Sequence, residues 1–314
     1  MHHSHNAWLT SFLSLSPMFD LAFLLAPTFA IFFLGILLRK ASILDSHAAD
    51  VLFKLVYYLT LPALLLSVLP YVAIKDRMLF LPLISALIIL VTLGAAVVTG
   101  KALGMRKQSY AVLVTGSMIM NIGFIMPFVQ SFYGEDGLAR LFLFDIPNGL
   151  STYVVAYSFA CRQGGFAEKP LLRKLITSPS LLALIAGLIM NALSLRFTPI
   201  SIAILHSISK LTIPLILLGL GASFTIAKIN PIHLASGIAL RIILGLFLGM
   251  WLARLFNLEG VDRAIVVLAA SAPAGFNTMT FASIEKLDRE FAATLVASCM
   301  IVSMILIPVL LTIL

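Results

Sequence analysis

The 314-residue chain is 61% apolar and 11% charged. A soluble domain carries roughly twice that share of charge, and nothing but lipid hides so much apolar surface, so the soluble classes are excluded. The formal charge of +8 is dispersed through short segments between apolar runs. That pattern fits basic loops beside a membrane and argues against a nucleic-acid surface.

In chain order, residues 1–20 carry His2, His3 and His5 but no Lys or Arg. They lack the basic start of a secretory signal and read as a tail. A helix needs about 20 apolar residues to cross the hydrocarbon core. Ten segments meet that requirement: 21–38, 51–72, 78–98, 110–132, 138–161, 179–195, 206–226, 232–255, 264–284 and 291–314. Their length and lack of alternating polarity predict an all-α polytopic membrane protein rather than a barrel.

With the amino terminus outside, the inner loops hold Arg39, Lys40, Lys101, Arg106, Lys107, the basic 162–174 stretch, Lys228, Lys286 and Arg289. The outer loops hold the sparser Lys75, Arg77, Arg140, Arg196, Arg254 and Arg263. The positive-inside rule then favours both termini outside. Residues 162–178 form the longest polar link and divide the chain into 21–161 and 179–314. Five spans on each side force the two halves into opposite orientations, the inverted-repeat plan of many secondary transporters.

The repeat is visible in the residues. Leu59-Thr60-Leu61-Pro62 falls on Leu211-Thr212-Ile213-Pro214. The same gapless register lays Gly123-Phe124 on Gly275-Phe276, Ser131 on Ser283 and Asp136 on Asp288. Spans four and nine both carry helix-breaking chemistry. Span four has Asn121, Gly123 and Pro127; span nine has Pro273, Gly275, Asn277 and Thr278. An interior proline costs a helix about 3 kcal/mol, and glycine about 1. Paired breaks in inverted halves mark a transport site, because unwound backbone survives in a membrane only where protein or a wet cavity satisfies it. Half-helix N-terminal ends favour anions, and Asn121, Asn277 and Thr278 add neutral hydrogen-bonding groups. Pro62 and Pro214 read as packing kinks.

Two ionisable residues fall deep within spans. Asp145 is expected to be a coupling group for H⁺ or Na⁺, with Arg241 a counter-charge to it or to substrate; the competing reading is a structural ion pair. Lys54 and Lys210 lie nearer span ends and read as interfacial. Met118, Met120 and Met126 read as adaptable packing, as do Cys161 and Cys299, which lack metal-ligand spacing. No cofactor or metal is expected. The chain contains no P-loop sequence, and Asp145 stands without the second aspartate that an intramembrane protease needs, so an enzyme is disfavoured.

The Asn121-Ile122-Gly123-Phe124 segment with Pro127, and the Ala272-Pro273-Ala274-Gly275-Phe276-Asn277 segment, resemble the auxin efflux carrier family, whose bacterial members include malate and malonate permeases. The resemblance covers nearly the whole chain after Asp20. It implies a fold like that of the bile-acid:sodium symporters, with two broken helices crossing and Asn121, Pro127, Pro273 and Asn277 at the crossing. It also implies transport of a small organic anion such as malate, malonate or an auxin-like acid. The short central link is closer to a bacterial member, hence an inner-membrane setting, and a homodimer is implied. The acidic crossover signature of sodium-coupled bile-acid symporters is missing, which leaves the coupling ion open. An anion channel or a membrane sensory module of the same fold is the alternative function.

Overall fold

The computed structural model describes residues 17–74, 76–164 and 178–314. The tail histidines, Lys75 and most of the 162–178 link lie outside the described residues. Everything described is helical apart from turns and one antiparallel backbone bridge, Met120 to Ala274. Helix α1 spans Pro17–Lys40, and α2 (Ser46–Leu55) continues through a π turn, Val56–Thr60, into α3 (Leu61–Val68). Then come α4 (Phe80–Ala102), α5 (Lys107–Met118) and α6 (Ile122–Ser151), with a second π turn, Thr152–Tyr157, leading into α7 (Ser158–Gly164). The second half holds α8 (Pro179–Ala192), α9 (Pro199–Ser209), α10 (Thr212–Ala222) and α11 (Pro231–Ile238). A third π turn, Ala239–Ile243, leads into α12 (Leu244–Leu255), and α13 (Gly260–Ala270), α14 (Asn277–Ile284) and α15 (Arg289–Ile313) close the chain.

Helix starts follow capping chemistry. Ser178, Thr198 and Asn230 each precede a proline, and their side chains accept from Leu181 N, Ser201 N and Ile232 N. A cap oxygen satisfies an orphan N–H, while proline at the first helical position lacks the N–H that would otherwise be stranded. The Thr198-Pro199 signal begins a helix seven residues before the start predicted at 206. Another difference lies between 132 and 138, where a loop was predicted. There α6 runs through, broken only by Gly134 at φ 58 and ψ −150, a conformation open to glycine.

Five uninterrupted helical runs among the described residues are long and apolar enough to cross a membrane: His47–Val68, Asp76–Ala102, Pro199–Ala222, Pro231–Leu255 and Arg289–Ile313. At most 44% of any of these apolar windows is buried. Their remaining apolar side chains, such as Leu90, Phe247 and Ile305, point outward, as lipid-facing side chains do. By contrast α5 and α13 are buried almost all round, including the whole Ala264–Ala270 run. These helices form the interior.

Two sets of helices surround that interior. In one, α1 packs on α10, and α3 on α8 and α9. A Cβ on Gly221 would collide with Phe32 O, and one on Gly35 would sit 3.1 Å from Ala222 N, so α1 and α10 meet backbone to backbone. Arg39 Nη1 donates to Ala222 O at 2.6 Å at the same joint. Asn191 Nδ2 donates to Leu69 O and Val72 O at 2.8 and 2.7 Å, tying α8 to the end of α3. In the other set α4 packs on α5 and α6, and α13 on α6 and α12. Arg140, read from sequence as an outer-loop charge, is instead buried between Asp136 and Asp262, joining α6 to the start of α13.

Substituting Gly221→Val is expected to destabilise the detergent-solubilised protein by about 1–3 kcal/mol through overpacking. Gly94→Ala, where the new methyl meets open space, is expected to leave the melting temperature undiminished in the same thermal-shift assay.

Candidate functional site

The two interrupted helices meet at their gaps. Helix α5 ends at Met118 and α6 starts at Ile122; α13 ends at Ala270 and α14 starts at Asn277. In the gaps the two chains pair as a minimal antiparallel ladder. Asn121 N donates to Pro273 O at 2.9 Å, and Gly275 N donates to Ile119 O at 2.9 Å. Glycine is required at 275, because a Cβ there would run into the Ile119 side chain.

The outer edge of this ladder is covered by an amide. Asn148 Oδ1 accepts from Met120 N at 2.9 Å, and its Nδ2 donates to Met120 O at 3.0 Å, so the side chain mimics a third strand. The same Nδ2 donates to Asp145 Oδ1 at 2.8 Å. The carbonyl ends of both leading half-helices are held by one cation. Arg241, fully buried on the third π turn, donates from Nη1 to Ser117 O at 2.9 Å and from Nη2 to Ala270 O at 2.6 Å. A guanidinium is well matched to this task, since helix C-terminal ends carry partial negative charge and unpaired carbonyls.

A cavity of about 690 Å³ opens beside the crossing. Its walls bring together Asn121, Gly123, Asp145, Gly275 and Asn277, with Asn148, Tyr153, Lys54 and the π-turn tyrosines Tyr57 and Tyr58. Phe53 and Phe276, with ring centroids 4.3 Å apart, bridge α2 to the second gap. Pro127, Pro273, Thr278 and Arg241 do not line it. Pro273 lies in the gap and accepts from Asn121, whereas Pro127 lies inside α6 and is buried. The first gap therefore lies upstream of its proline; Asn121 starts α6 by capping Phe124 N at 3.2 Å. Proline at 127 instead deprives the Gly123 carbonyl of its helical donor. Arg241 makes no ion pair with Asp145 among the described residues.

The polarity of Asn121 is fixed by its cap. Its Oδ1 is taken by Phe124 N, so Nδ2 is the atom left over; it is buried and without a protein partner in a side chain 8% exposed. An unsatisfied buried donor beside a cavity is an invitation to an acceptor oxygen.

Sequence reasoning passed over Asn148, Tyr153 and the cavity-lining position of Lys54. Asn148 carried one signal, a polar amide one turn beyond Asp145 in an otherwise apolar span. Two of the three π turns line the cavity and the third carries Arg241, and such turns have no recognisable sequence signature although they gather at functional sites.

The family model described as a membrane transport protein matches residues 21–311. The chain belongs to that family. It is the auxin efflux carrier family that the crossing motifs resemble. Among curated relatives, an uncharacterized transporter of Methanocaldococcus jannaschii is 26% identical over 267 residues, spanning 80% of this chain and 85% of the relative. An uncharacterized transporter of Methanothermobacter thermautotrophicus is 24% identical over 281 residues, spanning 87% and 90%. The transporter is thus a multi-pass membrane protein related along most of its length to archaeal transporters.

Replacing Asn148 by Ala strands the Met120 N–H, worth about 1–3 kcal/mol when buried and unpaired, and leaves Met120 O to Ile122 N alone. The variant is expected to melt well below the wild type in detergent, while Asn191→Ala, which leaves Leu69 O and Val72 O near the end of α3, is expected to cost less.

Proposed function

We propose that this transporter is a secondary carrier for a small organic anion, a carboxylate of the size of malate, malonate or an auxin-like acid. Two inverted five-helix repeats, 21–161 and 179–314, move it by alternating access around the crossing. The observation that carries the reading is the Asn121 amide, a buried donor without a partner at the wall of a cavity where two helices are interrupted. Positive half-helix ends at Ile122 and Asn277 border the same cavity and add to its preference for negative charge.

The ten-span, inverted plan is supported by matching local structure in the two halves. Thr60 and Thr212 are both buried with an unpartnered hydroxyl; Thr60 immediately precedes α3, which starts at Leu61-Pro62, and Thr212 opens α10, which continues through Ile213-Pro214. In this reading both termini face outward and the link 162–178 lies inside, in an inner membrane of bacterial type. A carboxylate held by Asn121 and Asn277 would be released when the two sets of helices shift past each other.

The test is counterflow of radiolabelled malate, malonate and indole-3-acetate in proteoliposomes. Saturable exchange is expected for at least one, and unsaturable conductive flux would point to a channel instead. Asn121→Ala and Asn277→Ala each remove a hydrogen bond to a charged ligand and are expected to lower the exchange rate roughly 10-fold or more, with the melting point little changed for Asn277→Ala and lowered for Asn121→Ala only by the loss of its cap, about 1 kcal/mol. Exchange at the wild-type rate in both variants would remove these residues from the site.

A further inference from the structure

The cavity brings three charged side chains to one space: Asp50 and Lys54 from α2, and Asp145 from α6. The other titratable groups around Asp145 are the phenols Tyr57 and Tyr58 of the first π turn and Tyr153 of the second. Helices α8, α10 and α14 contribute only neutral side chains to that lining. Among the described residues neither Asp50 nor Lys54 forms an ion pair, and both are exposed. With both carboxylates ionised the cavity therefore carries a net negative charge, which is the wrong sign for an anionic cargo.

Asp145 differs from Asp50 in what it touches. It is half-buried, and its hydrogen-bond partner among the described residues is Asn148 Nδ2 at 2.8 Å. That nitrogen also holds Met120 O, and Met120 is the neighbour of Asn121. One amide thus connects the carboxylate to the backbone of the gap that presents the unpartnered Asn121 donor. Among the described residues Asp145 forms no ion pair that would hold it ionised.

We infer that Asp145 is the coupling group of this carrier and that the coupling ion is a proton, taken up when the organic anion occupies the cavity. The inference rests on the carrier reading given above. In one cycle a proton from one aqueous side binds a carboxylate oxygen of Asp145, crosses with the anion, and leaves to the other side; no bond of the cargo changes. The neutral acid removes one negative charge from beside the cargo and still presents a carbonyl oxygen to Asn148 Nδ2. Like charges a few ångströms apart in a medium of intermediate dielectric oppose each other by roughly a 10- to 100-fold change in affinity. Binding of anion and proton is therefore mutually favourable, as linkage requires.

The experiment uses the full-length protein in proteoliposomes containing an internal pH dye, with radiolabelled malate as probe and malonate and indole-3-acetate run in parallel. For the wild type, uptake is expected to acidify the lumen, and KM for exchange to rise about tenfold or more from the lower to the higher pH across the titration of Asp145. Asp145→Asn is expected to take up probe without acidifying the lumen. Its KM at the higher pH is expected to fall about tenfold below the wild-type value, a gain that misfolding cannot imitate. Asp145→Glu, which keeps the carboxylate, should retain acidification. Lumenal acidification by Asp145→Asn, or wild-type exchange without proton movement, would overturn the coupling while leaving the carrier intact. Absence of exchange of every probe by the wild type would overturn the carrier reading and the coupling together.

Discussion

The molecule depends on resolving an electrostatic problem of its own making. Interrupting two helices at one depth creates four ends, in a medium where every unpaired N–H or carbonyl is costly. Arg241 resolves the carbonyl half of that problem by taking one acceptor from each leading half-helix, Ser117 O and Ala270 O. The peptide pairing around Met120 and Ala274, backed by Asn148, resolves the remainder. A single side chain thus binds two segments that lie far apart in the chain, and its full burial makes sense only because both carbonyl ends need a cation.

The division of labour between ends has a direction. The negative ends are turned toward Arg241 and away from the cavity, while the positive ends begin at Ile122 and Asn277 on its wall. Helix polarity therefore gives the crossing two chemically different sides without any charged residue within either gap. In the proposed carrier this leaves the acids and the lysine of the lining free to adjust net charge, rather than to hold the crossing together.

Much of this was legible in the sequence, and the reasons for what was not are physical. Apolar length located the helices, since lipid imposes it. The gaps were found because Asn, Gly and Pro in apolar spans cost free energy that something must offset. Their exact placement was not, because Pro127 is tolerated within a helix once Asn121 caps its start. The role of Arg241 was hidden because its partners are carbonyl oxygens, which every residue possesses; only a buried charge without a nearby acid hinted at it. Asn148 escaped for the same reason, as it reads a backbone rather than a side chain. The start of α9 is a different case, for Thr198-Pro199 announced it and hydropathy alone obscured it.

The joint between α1 and α10 has a mechanical meaning. Long interdigitated side chains can slide by exchanging rotamers, but Gly35 and Gly221 bring main chain against main chain, where there are no rotamers to exchange. With Arg39 fastened to Ala222 O across the same junction, these two helices behave as a weld. Any large displacement must then be taken up on softer bearings. Such a surface exists where Ile216 of α10 faces Gly123 at the edge of the crossing, with room for a methyl group between them. A main-chain joint and a roomier contact thus lie on one short helix, so in the proposed carrier α10 would be the frame against which the crossing shifts.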